Sequence, residues 1–290
     1  MNKRLVSCLT VMCLLTVNCV LAVSNIDDST QATTPSMLGK FDTSKDLLLS
    51  QFDSKTDVDD IHTIAAVATM LRDPQFANVN YHGVAGAYGI QEGLYVPAPE
   101  LFALAFGDNW SNAHTQRDKA LAKVISLVQS TLEKGGDIWI AEAGQSDFSA
   151  DMLKAIQLSH TDIDTKQRIH IVQHSDWNEN STSPDDLSYV QQHSDYHKIA
   201  DGNATGNGTP GFRNEDASDW TTALTHYNAG PLWKMAKQIG EKYNGKDGRY
   251  NNTAVESGGL DFSDAAEMCW IFGYLDIKNT RDFFSTFTGK

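Results

Sequence analysis

The sequence predicts an α/β fold, an open and mostly parallel sheet flanked by helices. Three observations carry that expectation. Short apolar runs recur at residues 47–49, 77–86, 137–141 and 168–173. The segments between them place apolar residues at helical spacing, and strands alternating with helices argue for βα units and a parallel sheet. Each run also empties into polar or glycine residues, as expected when the strands deliver side chains to one rim at their carboxyl ends.

Residues 1–22 read as a secretory signal peptide rather than as part of the fold. Lys3 and Arg4 form a positive start, residues 5–17 are mostly apolar, and Val20-Leu21-Ala22 offers small residues at the usual cleavage spacing. Asn18 before Cys19 argues against a lipid anchor on that cysteine. The protein is therefore expected to be exported, to a periplasm or beyond. Residues 23–40 are polar and aperiodic and read as a linker, which leaves 41–290 as one domain. No later segment approaches 18 uninterrupted apolar residues, so no membrane contact is expected after signal removal. Cys8, Cys13 and Cys19 fall inside the signal and only Cys269 remains, so an exported fold must rest on its core rather than on disulfides. Of the 23 Lys and Arg, two lie in the signal, leaving 21 against 37 Asp and Glu, a net charge of about −16. Such a balance repels nucleic acid and suits neutral or cationic small molecules and metal ions.

The first apolar run, 47–49, leads into Asp53-Ser54-Lys55-Thr56-Asp57-Val58-Asp59-Asp60. A helix follows over 59–71, with Ile61, Ile64, Ala65, Ala68 and Leu71 on roughly one face. Four carboxylates in this strand-to-helix turn repel one another unless something neutralises them, and a hard divalent cation with oxygen ligands does so. The plainer reading is an acidic helix N-terminus complementing the macrodipole. Residues 77–86 form the next strand, Pro97 and Pro99 open a short helix through Phe106, and a long helix over 115–134 ends at Gly135-Gly136. The strand at 137–141 enters Glu142-Ala143-Gly144 and a helix over 148–159. The strand at 168–173 runs into His174-Ser175-Asp176-Trp177-Asn178. Residues 176–216 are rich in Asn, Asp, Ser and Gly and read as a long loop, more often functional than idle. Helix returns over 218–243, and Asp264 opens a final apolar helix after Ser257-Gly258-Gly259.

Asp53 to Asp60, Asp176 to Asn178, and Asp264 together resemble the inosine-uridine nucleoside hydrolase superfamily. That family opens with DxDxxxDD between its first strand and first helix, and Asp53, Asp59 and Asp60 match three of its four acidic positions. Asp176-Trp177-Asn178 is similar to the family's mid-chain Glu-Phe-Asn, and Ser263-Asp264-Ala265-Ala266 to its late helix-opening Asp. The resemblance spans roughly residues 46–275 and implies a nucleoside-hydrolase-like fold with a Rossmann-like core. It implies Ca2+ held by Asp53, Asp59, Asp60 and Asp264, with a main-chain carbonyl from residues 145–147. It also implies sugar hydroxyls bound by Asp176 and Asn178, and Trp177 between them is well placed to stack on a sugar face. The implied activity is calcium-dependent hydrolysis of N-glycosidic, ribosyl or related glycosidic bonds in a small-molecule sugar or nucleoside. The family is often oligomeric, so a homo-oligomer is a further implication.

The chain departs from the family at defined places. Lys55 stands where the family's water-activating carboxylate falls, which leaves Asp57 as the nearest catalytic base. Ser263 replaces a frequent His, and Ala85-Gly86-Ala87 replaces Gly-Asn. This spacing resembles a divergent, exported branch associated with carbohydrate. The alternative reading is a catalytically inactive carbohydrate- or nucleoside-binding protein on the same fold. An EF-hand is excluded by Val58 and Ile64, and a haloacid-dehalogenase-type nucleophile by Lys55. His174 with Asp176 reads as a hydrogen-bonded pair, His62 as a surface helix position, and His82, His193 and His197 have no informative spacing.

Overall fold

A computed structural model describes residues 36–289; the signal segment 1–22 lies outside the described residues, as do 23–35 and Lys290. In chain order, β1 (Met37–Leu38) and β2 (Phe41–Asp42) form a small hairpin. Phe41 is fully buried and the Lys40 amide donates to the Ile271 carbonyl at 2.9 Å. Folded structure therefore reaches back into the stretch read as a linker.

The four apolar runs form β3 (Leu47–Phe52), β4 (Asn80–Ala85), β6 (Ile138–Ala143) and β7 (Ile169–His174). Two further strands join them, β5 (Trp110–Asn112) and β8 (Asp195–Ile199), neither of which was legible as an apolar run. All six pair in parallel in the order β5-β4-β3-β6-β7-β8, a Rossmann-like α/β sheet. Alternation of side chains gives the sheet two apolar faces. Leu48, Phe52, Trp139, Ala141 and Val172 join one core, and Leu47, Leu49, Ile138, Ile140, Ile169 and Ile171 join the other.

The connecting helices follow the predicted places with two corrections. α1 (Asp59–Leu71), α2 (Pro99–Phe106), α3 (Ala113–Glu133) and α4 (Asp147–Ser159) stand where the periodicity put them. The expected long loop 176–216 is instead largely ordered structure. After α5 (Thr165–Arg168) and β7 come α6 (Asp176–Ser181), α7 (Pro184–His193) and β8. Its polar composition misled because α6 and α7 are short surface helices capped by Ser175 and opened by Pro184, and β8 lies at an edge of the sheet. The expected helix 218–243 is two helices, α8 (Asp219–Thr225) and α9 (Gly230–Tyr243), because Pro231 has no amide hydrogen to continue a preceding turn and so opens a new helix, with Gly230 packed against the Leu224 carbonyl where a Cβ would not fit. A second small ladder pairs β9 (Arg213–Asn214) with β10 (Leu260–Asp261), and the chain ends through α10 (Thr253–Glu256), α11 (Ala266–Phe272) and α12 (Thr280–Thr286).

Strand order places the site. The chain leaves β3 toward β4 on one side and leaves β6 toward β7 on the other, yet β3 and β6 are neighbours. Connections that diverge from adjacent strands leave a crevice outside their carboxyl ends, where ligands of open α/β sheets bind. Phe52 and Ala143 are the last residues of those two strands and pair in register, so Asp53 and Gly144 form the crevice floor.

Candidate metal centre

A cavity of about 230 Å³ opens at that crevice, lined by Asp53, Asp57, Asp59, Asp60 and Asp264. Residues from the acidic turn and from a segment two hundred positions later thus face one space. The turn is shaped for this. Ser54 adopts φ +50°, a left-handed conformation costly for a side-chain-bearing residue, and its amide donates to Asp60 Oδ2. The Lys55 amide donates to Asp53 Oδ1 at 2.8 Å, and the Gln145 side chain donates to Asp53 Oδ2 at 2.6 Å. Gly144 adopts φ +123° beside the Asp53 carboxylate, where any Cβ would collide with it. Asp264 sits in the single turn Ser263–Ala265 before α11; its Oδ1 accepts from His174 Nε2 at 2.9 Å. Because the Gly202 amide donates to His174 Nδ1 at 2.9 Å, the ring proton sits on Nε2.

Electrostatics set the chemistry. Among the described residues, no Lys or Arg comes within ion-pairing distance of Asp53, Asp57, Asp59 or Asp60. Burial, reinforced by Asp264, pushes the Asp53 carboxyl up to about 7, and burial with Asp261 does the same for Asp57. Burial and their neighbours raise Asp59 and Asp60 well above the ordinary carboxylate range. Asp60 Oδ1 is buried without a hydrogen-bond partner. Several carboxylates and one orphaned oxygen face this space, and oxygen is the ligand type that a hard divalent cation such as calcium takes, although the acids would have to draw closer together to surround one.

The other predicted residues divide. Trp177 and Asn178 line the cavity, the indole 56% exposed at its mouth and Asn178 buried. The structure does not bring Asp176 in: its side chain is 85% exposed and ion-pairs with Lys198. The reason is local, since Ser175 at φ +70° turns the chain and sends Asp176 outward as α6 begins. The expected carbonyl from residues 145–147 is likewise displaced, the wall being Ala143 and Gly144 while Gln145 contributes its side chain to Asp53. His174 pairs with Asp264 rather than Asp176. His62 is not a surface position but fully buried, its Nδ1 accepting from the Asp261 amide at 3.2 Å, with burial lowering the imidazole to about 3.

Eight lining residues had no role as cavity groups in the sequence alone: Thr56, Ala143, Gly144, His174, Ser175, Asn203, Arg213 and Tyr250, the last 53% exposed. Asp261 stands behind Asp57, both receiving hydrogen bonds from Asn252 at 2.8 and 3.3 Å. The only signal for Asp261 was its position three residues before Asp264. Lys55 lines the wall with its ammonium 4.2 Å from the Tyr88 ring centroid. No protein-family model matches the chain, and no curated protein is significantly similar to it.

Proposed function

We propose that this protein is a calcium-dependent hydrolase of N-glycosidic bonds in ribosides or closely related glycosides. The observation that carries the reading is the meeting of Asp53, Asp57, Asp59 and Asp60 with Asp264 around one cavity at the switch between β3 and β6. Asp53, Asp59, Asp60 and Asp264 would hold the cation, which when bound lowers the pKa of water and orients a sugar diol. Asp57, held by the Val58 amide and Asn252, is the carboxylate left to take a proton from water. Trp177 and Tyr250 at the mouth offer flat faces to a sugar or a leaving base, and Asn178 and Asn203 offer amides to hydroxyls. A cavity of about 230 Å³ lies below the ~300–1,000 Å³ typical of sites for drug-sized ligands, which favours a single sugar unit over an oligosaccharide.

Lys55 supports a second reading, binding without turnover. Its ammonium occupies the wall where the resembled family keeps a carboxylate, and an ammonium beside a cation cannot take a proton. One experiment separates the two. Purified protein is offered inosine, uridine and p-nitrophenyl riboside with calcium, beside the Asp59→Ala and Lys55→Asp variants. Hydrolysis by the wild type that Asp59→Ala loses supports the hydrolase. An inactive wild type that binds ribose only with calcium, with turnover in Lys55→Asp gained by about a hundredfold or more over background, supports the binding protein. No calcium-dependent binding or turnover by any of the three removes both.

A further inference from the structure

At the opposite end of the sheet from the acidic cavity, three side chains converge on the strand pair β7–β8. His170 pairs in register with Asp195, and Val172 with His197, so His170, Asp195 and His197 emerge on one face of the sheet. One ligand atom of each lies within 4.8 Å of the other two. His170 Nδ1 is 2.7 Å, and His197 Nε2 2.8 Å, from the same Asp195 oxygen, Oδ2. His170 lies four residue steps from His174 at the cavity, about 13 Å along an extended chain. The two clusters are thus distinct in place, and this one is built mainly from imidazole nitrogens where the other is built mainly from carboxylates.

A second observation comes from the far side of the His170 ring. If His170 is neutral and donates Nδ1–H to Asp195, its lone pair sits on Nε2. That nitrogen is buried with no hydrogen-bond partner, and it faces the Asp137 carboxylate, whose Oδ2 is 3.8 Å away. A lone pair turned toward an anion in a buried site is unfavourable. The ring is also fixed in place, stacked on Trp139 at 3.9 Å between centroids, while Arg168 anchors Asp137. Moving the proton from Nδ1 to Nε2 would resolve the conflict, because the N–H would then point at Asp137 and Nδ1 would be free to ligate. Metal-bound histidines characteristically donate their second N–H to a carboxylate in this way.

We infer that His170, Asp195 and His197 form a binding site for a borderline divalent transition ion such as zinc, with water completing the coordination. Two imidazoles and one carboxylate suit zinc and its neighbours, and discriminate against calcium and magnesium. Binding exchanges two N–H···O hydrogen bonds for two metal–nitrogen bonds; each neutral ring changes tautomer through water, so no net proton is lost from the rings. The ligands must open from 2.7 and 2.8 Å to about 3.4 Å for tetrahedral geometry. Asp195 can turn to allow it, since its side chain is more than a third exposed. The ion would cross-link edge strand β8 to β7, a stabilising rather than catalytic role.

The test uses the full chain with saturating calcium present, so that the acidic cavity does not take up the probe. Zinc is titrated calorimetrically, and copper(II) is titrated while indole fluorescence is read. His197 lies 4.7 Å from Trp270, which makes that indole a local reporter. The expected result is one zinc per chain, a rise in melting temperature with zinc, and quenching by copper. His197→Ala and Asp195→Asn should each weaken zinc binding by more than about tenfold, and Asp137→Asn by about 10–100-fold. Zinc-free melting curves of the variants report whether they fold; His197→Gln is the second choice for any that does not. Asp59→Ala should leave zinc binding intact, so failure of the calcium site and failure of this one are separately visible. Zinc uptake or quenching that is absent in the wild type, or unchanged in both ligand variants, would overturn the site and leave a carboxylate hydrogen-bonded between two imidazoles.

Discussion

Asp60 accepts one hydrogen bond, from the Ser54 amide, and leaves its other oxygen buried without a partner. A buried carboxylate in that state is a cost to the calcium-free protein and a ligand to the loaded one. The Asp60→Asn substitution keeps an acceptor for Ser54 and removes one of several like charges. Its calcium-free melting temperature is expected to rise above the wild type's. Its calcium-induced stabilisation, about 2.7 kcal/mol at a hundredfold excess over Kd if Asp60 is a ligand, should largely vanish. An unchanged calcium shift would remove Asp60 from the ligand set. The acids of 53–60 were readable as a cluster because their identity and spacing are local. The direction of each side chain was not, and Asp176 shows why. It sits one residue from Trp177, yet a single left-handed residue, Ser175, sends it to Lys198 on the surface.

At the scale of elements, α1 was read as amphipathic and is instead enclosed, with every residue from Asp60 to Met70 buried. Its outer face is covered by α9, where the Trp233 indole donates to Thr69 Oγ1 at 2.9 Å. Gly240 of α9 leaves room for the His62 ring beside it. Enclosed in this way, His62 has its Nδ1 satisfied by the Asp261 amide and its ring edge-on to Trp220, while its Nε2 is buried without a hydrogen-bond partner. The Thr69→Val substitution preserves shape but orphans the Trp233 N–H. It is expected to cost about 1–3 kcal/mol, read as a lower denaturant midpoint with an unchanged slope. A loss below a few tenths would mean that the α1–α9 seam relaxes. Strands β5 and β8 escaped the sequence reading for a related reason. β5 has three residues, and β8 carries Asp195, His197 and Lys198, side chains that suit an edge strand but give no apolar run.

For the whole molecule, the acidic cavity makes stability a function of pH. Asp53 and Asp57 titrate near 7 in the native state against an ordinary value of 3.8. Between those values the native state binds more protons than the unfolded chain, so unfolding free energy falls as pH rises. Their contribution is fully present below about pH 4 and lost once the pH passes about 7. Melting temperatures measured with chelator from pH 4.5 to 8 should show this decline, and saturating calcium should flatten or reverse it. A chelated protein whose stability is flat across that window would mean that the carboxylates are not driven to hold protons. No helix among the described residues is long and apolar enough to cross a membrane.

What the sequence determined by itself was periodicity and local chemistry: four of the six strands, the helices between them, and an acidic turn that follows the first strand of the sheet. Those depend on residues a few positions apart, whose spacing alone decides which face they occupy. Tertiary structure decided everything that depends on strand order and on single backbone angles. The neighbouring of β3 and β6 opens the cavity, the turn at Ser263–Ala265 sets Asp264 beside Asp60, and parallel register brings His170 to Asp195 and His197. Contacts across tens or hundreds of residues are fixed by how apolar faces pack, and no local pattern encodes that packing residue by residue.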